Sequence, residues 1–262
     1  MFLRLQAPFA AFRPFQSGGY RSTTPIPSPS TIYGLLLNLA AIEQRAELTT
    51  PVTLMRENLP EMEIAIAQVK QPELAILSQQ LHQYPVGASG AELAKKTYGA
   101  KYWIAPVRRE VLVNLDIVVG IKAEQELCNR ILAGLNGELE DLRYGLPFAG
   151  DNNFLFNIIK PANSLDDLVV GEEKSFLLRW YSPITSGIRP QPGVCRLTTW
   201  IDRSDNSKTE ITVFAPGNFC RTIPPDNHPA WIQLPGQSCR NNLPNLDNKS
   251  VSSKPKRNKK TK

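Results

Sequence analysis

Apolar side chains fall on every second position from Val111 to Ile121, through Val113, Leu115, Ile117 and Val119, without a break. An unbroken period of two marks a strand, Glu110–Ile121, that lays one face against a core. The next segment brings apolar cover. Glu124–Leu142 carries Leu127, Ile131, Leu135 and Leu139 at helical spacing, an amphipathic helix. After a turn-rich loop, Phe154–Lys160 reads as a further strand.

The N-terminal half repeats that order. Met1–Gln6 reads as a strand with Leu3 and Leu5 on one face. A loop rich in Pro, Gly, Ser and Thr covers Pro8–Pro29. Ser30 or Thr31 caps a helix over Ile32–Glu47, whose Ile32, Leu35, Leu36, Leu39, Ala40 and Ile42 form a broad buried face. Glu61–Lys70 alternates as a second strand, Pro72–Gln83 shows a short helical pattern, and Tyr84–Arg109 is irregular and basic. Strand–helix–strand, insertion, strand–helix–strand is the split βαβ order of a ferredoxin-like (RRM-like) α+β domain over residues 1–160, with an insertion at 84–109. Short strand candidates at Phe176–Tyr181, Val194–Ile201, Thr209–Phe214 and Trp231–Leu234 make 161–240 a small β-rich region. Residues 241–262 have almost no apolar content and are expected to be disordered.

The net charge of +6 belongs to the tail. Asp247–Lys262 holds 7 bases and 1 acid, while the first 246 residues hold 23 of each. Nucleic-acid binding by the body must therefore rest on local clusters. The 4 cysteines, Cys128, Cys195, Cys220 and Cys239, show no C-x-x-C pair and no adjacent histidine, which argues against zinc. With no secretory leader pattern they read as reduced thiols of a cytoplasmic protein. No apolar run is long enough to span a membrane. Neither the P-loop nor the dinucleotide fingerprint is present, and no paired-carboxylate, GxSxG or HExxH signature occurs. The 2 histidines, His82 and His228, lie in unrelated contexts, so no metal or cofactor is expected.

Three segments concentrate binding chemistry. Before Glu43 the charged residues are Arg4, Arg13 and Arg21 alone, and the loop around them carries Tyr20, Ser22, Thr23, Thr24, Ser28 and Ser30 as it runs into a helix start. Arginines, hydroxyls and free N–H groups suit a phosphate backbone. A solvated, helix-capping loop has the same composition. The stretch 95–109 holds Lys95, Lys96, Lys101, Arg108 and Arg109 with no acid, interleaved with Tyr98, Tyr102 and Trp103. Cations beside stacking rings suit single-stranded nucleic acid, and equally a hairpin with aromatic core residues and a solvated face. The segment 143–154 places Gly145 and Gly150 around Pro147 and ends in Asp151, Asn152 and Asn153. That composition permits an anion-receiving nest of N–H groups, or a plain tight turn. The basic tail is a fourth, nonspecific candidate. Phe9, Phe12 and Phe15, in the expected loop, point to partners.

Three sequences, SGGYRSTTPIPSPSTIYGLLLNL, KYWIAPVRREVL and RYGLPFAGDNNF, together resemble CRISPR-associated protein family 5, most closely its type I-B and myxobacterial-type branch. The resemblance spans about residues 1–215. It implies a repeat-associated RNA-binding fold with a β-hairpin thumb, here Tyr84–Arg109, and a small β-rich C-terminal part. It implies a noncatalytic Cascade subunit of antiviral defence that holds the 5′ handle of the guide RNA and caps the backbone subunits beside the large subunit, meeting target DNA only through the complex. Transposition proteins join the partners where such a system is transposon-coupled. On this chain Lys101, Tyr102, Arg108 and Arg109 would contact RNA, Gly145–Asn153 matches the Gly-rich loop, and Tyr20–Ser30 would line the handle pocket. A related branch cleaves precursor RNA without metal. That alternative would fall to His82 or His228.

Overall fold

In the computed structural model the described residues are 1–14, 20–47, 54–56, 58–83, 103–162, 164, 177–184, 192–202 and 206–236. The alternating segment lies in a long strand, β5 (Trp103–Ala123), and it organises everything around it. Strand β1 (Phe2–Ala10) runs antiparallel along it, pairing Leu3 with Val119 and Leu5 with Ile117. On its other side lies β3 (Met62–Gln68), also antiparallel, and β6 (Ile158–Ala162) flanks β1, giving the order β6-β1-β5-β3. The chain is thus an α+β protein with a largely antiparallel sheet and few helices.

The period of two sorts side chains between two cores. Leu3, Leu5, Ile64, Ile66, Ile117, Val119 and Ile121 point to the face covered by helices α1 (Pro29–Leu39) and α2 (Gln125–Asn136). Phe2, Ala65, Ala67 and Val118 point the other way, where Leu178, Trp180 and Ala230 cover them. Each fully buried Leu or Ile contributes roughly 1.5–3 kcal/mol. Arg4, 1% exposed, lies on that second face with both Asp116 oxygens, Nε to Oδ1 at 3.0 Å and Nη2 to Oδ2 at 2.6 Å. It is locked within the sheet and is no surface cation.

Both helices are shorter than their sequence patterns. Helix α1 starts earlier than expected because Ser28 is the cap, its Oγ accepting the Thr31 N–H, with Pro29 in the first turn. It ends at Leu39, not Glu47. Ala41 turns into the left-handed region (φ 52°), and Ile42 N–H reaches back to the Leu37 carbonyl. Helix α2 stops at Asn136, not Leu142, because Gly137 takes φ 76° and Glu138 N–H closes on Ala133.

The expected helix at Pro72–Gln83 is instead strand β4 (Glu73–Gln83). It pairs antiparallel with β5 from Glu73↔Val113 to Gln83↔Trp103. Its Leu, Ala and Gln favour helix by only tenths of a kcal/mol per residue. A partner strand that satisfies the whole backbone ladder overrides so weak a preference. The same pairing turns 103–109, expected to be irregular, into strand. Asn114 (φ 56°) is an irregularity within β5, where the pairing with β1 skips one residue.

Two further corrections fall at strand ends. Strand β1 runs through Pro8 to Ala10, so Phe9 is a strand residue, and Phe12 is buried in the helix-side core. β6 begins at Ile158, not Phe154, since Phe154 closes a turn with its N–H on the Asp151 carbonyl. The C-terminal strands lie near their expected positions as β7 (Arg179–Pro183), β8 (Cys195–Trp200), β9 (Glu210–Pro216) and β10 (Ile232–Leu234). They join the sheet where β7 and β10 pair with β3. The expected thumb tip at 84–102, Phe15 and the basic tail lie outside the described residues. Among the described residues Cys128, Cys195 and Cys220 are free thiols, and burial pushes Cys195 up to about 12.

Candidate nucleic-acid interface

Strand β5 positions the interface through its hairpin half. There Arg108 and Arg109 lie beside a two-residue strand, β2 (Tyr20–Arg21), paired in parallel as Tyr20↔Arg108 and Arg21↔Arg109. The neighbouring Glu110 pins the loop from below. Its Oε1 accepts from Tyr20 Oη at 2.7 Å and its Oε2 accepts from Thr23 N–H at 2.9 Å. The Glu110 hydrogen bond raises the Tyr20 hydroxyl above its ordinary value, so it stays protonated. Thr23 Oγ1 in turn accepts the Phe12 N–H at 2.8 Å, and Thr24 N–H donates to the Phe12 carbonyl.

Arg109 joins this pair of strands to the Gly-rich loop. Its Nη2 meets Asp151 Oδ2 at 2.5 Å, and its guanidinium lies 5.6 Å from the Phe154 ring centre. Asp151 Oδ1 accepts from both Asn153 N–H (3.0 Å) and Asn153 Nδ2 (2.7 Å). Burial alone would raise the Asp151 carboxyl. The Arg109 and Asn153 donors outweigh it and hold the group below the usual carboxylate range. The anion that this turn receives is therefore its own Asp151. Gly150 (φ 85°) is required by close approach, since a Cβ there would lie 2.3 Å from the Ala11 carbonyl oxygen. Gly145 has no such need, with its nearest neighbour, Asn38 Nδ2, at 3.6 Å.

Cations collect where these segments meet. Burial, followed by repulsion from Arg13 and Arg109, lowers the Arg21 guanidinium from its ordinary value, although it remains charged. Among the described residues Arg13, Arg21 and Arg108 form no ion pair, and Arg108 is exposed. Such an arrangement attracts a polyanion. Of the hydroxyls, Ser28 caps α1 and Ser30 Oγ donates to the Thr198 carbonyl (2.9 Å), so both hold structure, and Ser28 also lines a cavity beside the site. Ser22 is half-buried, and Asn152 and Asn153 are exposed. Lys95, Lys96, Tyr98, Lys101 and Tyr102 lie outside the described residues, and Trp103 is placed only as the first residue of β5.

Sequence reasoning missed Glu110 and Asp151 as organisers, although each directly follows an expected binding residue. It also missed Arg196 of β8, which lines a cavity with Arg13, Ser28, Thr31 and Gly150 and has no sequence neighbour to betray it. His82 is placed only as a residue of β4. The His228 Nδ1 accepts the Ala230 N–H, and the cleft beside it, lined by Trp180, Pro183 and Cys220, shares no residue with this interface. No group of His, Cys, Asp and Glu among the described residues is arranged to hold a metal. No helix among them is long and apolar enough to cross a membrane.

The family described as CRISPR-associated protein (Cas_Cas5) matches residues 1–145, just over half the chain. Among solved structures, a chain of a CRISPR RNA-guided surveillance complex superposes with a TM-score of 0.51 at 14% identity, covering 82% of this chain and 88% of its own. A second, described as the crystal structure of a Cas protein, gives 0.45 at 13% identity over 83% and 93%. No curated protein matches.

Proposed function

The chain belongs to the CRISPR-associated Cas5 family, and from that premise we propose that it is a noncatalytic subunit of a Cascade surveillance complex that binds the 5′ handle of the guide RNA. One observation carries the reading. Arg21 lies close enough to Arg13 and Arg109 for their charges to repel, beside the loop that Arg109 and Asp151 hold in place, and exposed Arg108 stands on the strand paired with Tyr20 and Arg21, giving a cationic surface framed by hydroxyls and strand ends. The guide's base pairing reads the target, so this subunit needs only to hold and place the handle. Phosphate contacts from these arginines would fix the strand's register.

Other features support the finer assignments. The order β6-β1-β5-β3 with both helices on one face is what a ferredoxin-like domain would have, and the β4–β5 hairpin is where a thumb would rise. Solvent-facing Leu74, Ile76, Leu142 and Leu146 suit a subunit that packs against backbone and large subunits. The resemblance of the three quoted motifs supports an assignment to the type I-B and myxobacterial-type branch, in interference or in guided transposition.

The test is binding of repeat-derived handle RNA to the purified chain between 50 and 200 mM salt, in EDTA. Arg21→Gln with Arg108→Gln should lower the salt slope by about 1.4, or roughly 0.7 for each single-strand phosphate contact. The RNA should be recovered intact. An unchanged slope removes the arginine cluster from the interface. Defined cleavage lost on substituting His82 or His228 would make the chain a nuclease.

A further inference from the structure

We propose that the cavity between the 12–14 loop, the start of α1 and strand β8 seats one phosphate group of the bound RNA, with Arg13 and Arg196 as its cationic ligands. This rests on the RNA-binding reading above and adds a site to it. The cavity holds about 140 Å³. A cavity of ~150 Å³ takes a molecule the size of benzene, so this one fits a phosphate or a single ring and excludes a whole nucleotide.

Its walls decide between those two. Arg13, Arg196, Ser28 and Thr31 present guanidinium and hydroxyl groups, and no carboxylate lines the space. The one aromatic wall, Phe12, is buried in the core and has no free face for a base to stack on. Among the described residues neither arginine forms an ion pair. Arg196 is exposed, and it follows the strand alternation in pointing away from the core that receives its neighbour Leu197. Two arginines that line one cavity from separate parts of the chain, with no acid among its lining residues, are suited to a phosphate.

The seat is also rigid. Ser30 Oγ ties α1 to the Thr198 carbonyl, which fixes two of its walls relative to each other. Gly150 forms another wall with bare backbone, because any side chain there would strike Ala11 and Phe12. The Ser28 hydroxyl lies within 2.9 Å of Ser30 Oγ and 2.8 Å of Thr31 Oγ1, a chain of hydroxyls at the cavity edge. Ligands held this way lose little freedom when the anion arrives.

The experiment uses the full chain and a series of handle RNAs, each with one phosphate replaced by a neutral methylphosphonate. In the wild type one position should weaken binding by roughly tenfold, as loss of a charge-assisted hydrogen bond does. In Arg196→Gln that position should become silent, with the salt slope lower by about 0.7 and the melting temperature unchanged. Arg13→Gln should silence the same position. An Arg196→Gln chain that keeps wild-type sensitivity at every position, while Arg108→Gln binds more weakly, overturns the seat and leaves the handle reading intact. Stabilisation of the wild type by inorganic phosphate alone, lost in Arg196→Gln with RNA binding unaltered, makes this a free-anion site and overturns the assignment to RNA. No RNA binding by the wild type overturns both readings.

Discussion

Replacing Asp151 by asparagine separates the two roles that the interface gives to Arg109. In the native protein Arg109 is spent on a carboxylate, with the side chains only 10% and 23% exposed. Breaking a fully buried pair costs about 3–5 kcal/mol. Partial exposure, and the amide oxygen that the substituted side chain retains, reduce this to about 2 kcal/mol, or a melting temperature lower by roughly 4–8 °C. The loss should depend on pH. The Asp151 carboxyl lies below its unfolded value of about 3.9, so its contribution is full above that value and fades as pH falls through the folded one. The gap between wild type and variant should therefore close in acid. RNA binding should move the other way. With the acid gone and Arg109 released, the salt slope measured by fluorescence anisotropy should steepen by about 0.7. A double-mutant cycle with Arg109→Gln should return a coupling of about 2 kcal/mol. A shallower slope, or a stability gap that does not narrow at all as pH falls below the unfolded carboxyl value, would refute the reasoning.

Other substitutions test the frame around the site. Gly150→Ala should cost about 3 kcal/mol or more, from a positive φ combined with a backbone collision, while Gly145→Ala should stay within about 0.5 kcal/mol of wild type. Denaturant titration of the two separates them. Ser28→Ala should lose about 1 kcal/mol of thermal stability by uncapping α1. Arg4→Ala should lose about 4 kcal/mol, because Asp116 is left buried and unpaired, and adding Asp116→Leu should recover most of it.

Those outcomes follow from how far each feature depends on distant partners. The 111–121 alternation and the helix-spaced Leu127, Ile131 and Leu135 were legible because each pattern is complete within itself. Strand β4 was not, since its residues favour helix locally and only β5 makes them a strand. The same division runs through the site. Arg21, Arg108 and Gly150 could be picked out by residue type and neighbourhood. That Arg4 is consumed by Asp116 is a product of sheet register, and that Arg109 belongs to Asp151 and that Arg196 shares a cavity with Arg13 are products of how distant loops pack on the strands. A cation's value to a ligand is set by whether the fold has already given it an acid. Of the arginines in and around these segments, Arg4 and Arg109 are each ion-paired with one, whereas Arg13, Arg21, Arg108 and Arg196 form no ion pair among the described residues, although Asp151 lies near enough to Arg21 to act on its charge. It is this second set, spread over three separate stretches of chain, that should dominate the salt dependence of binding.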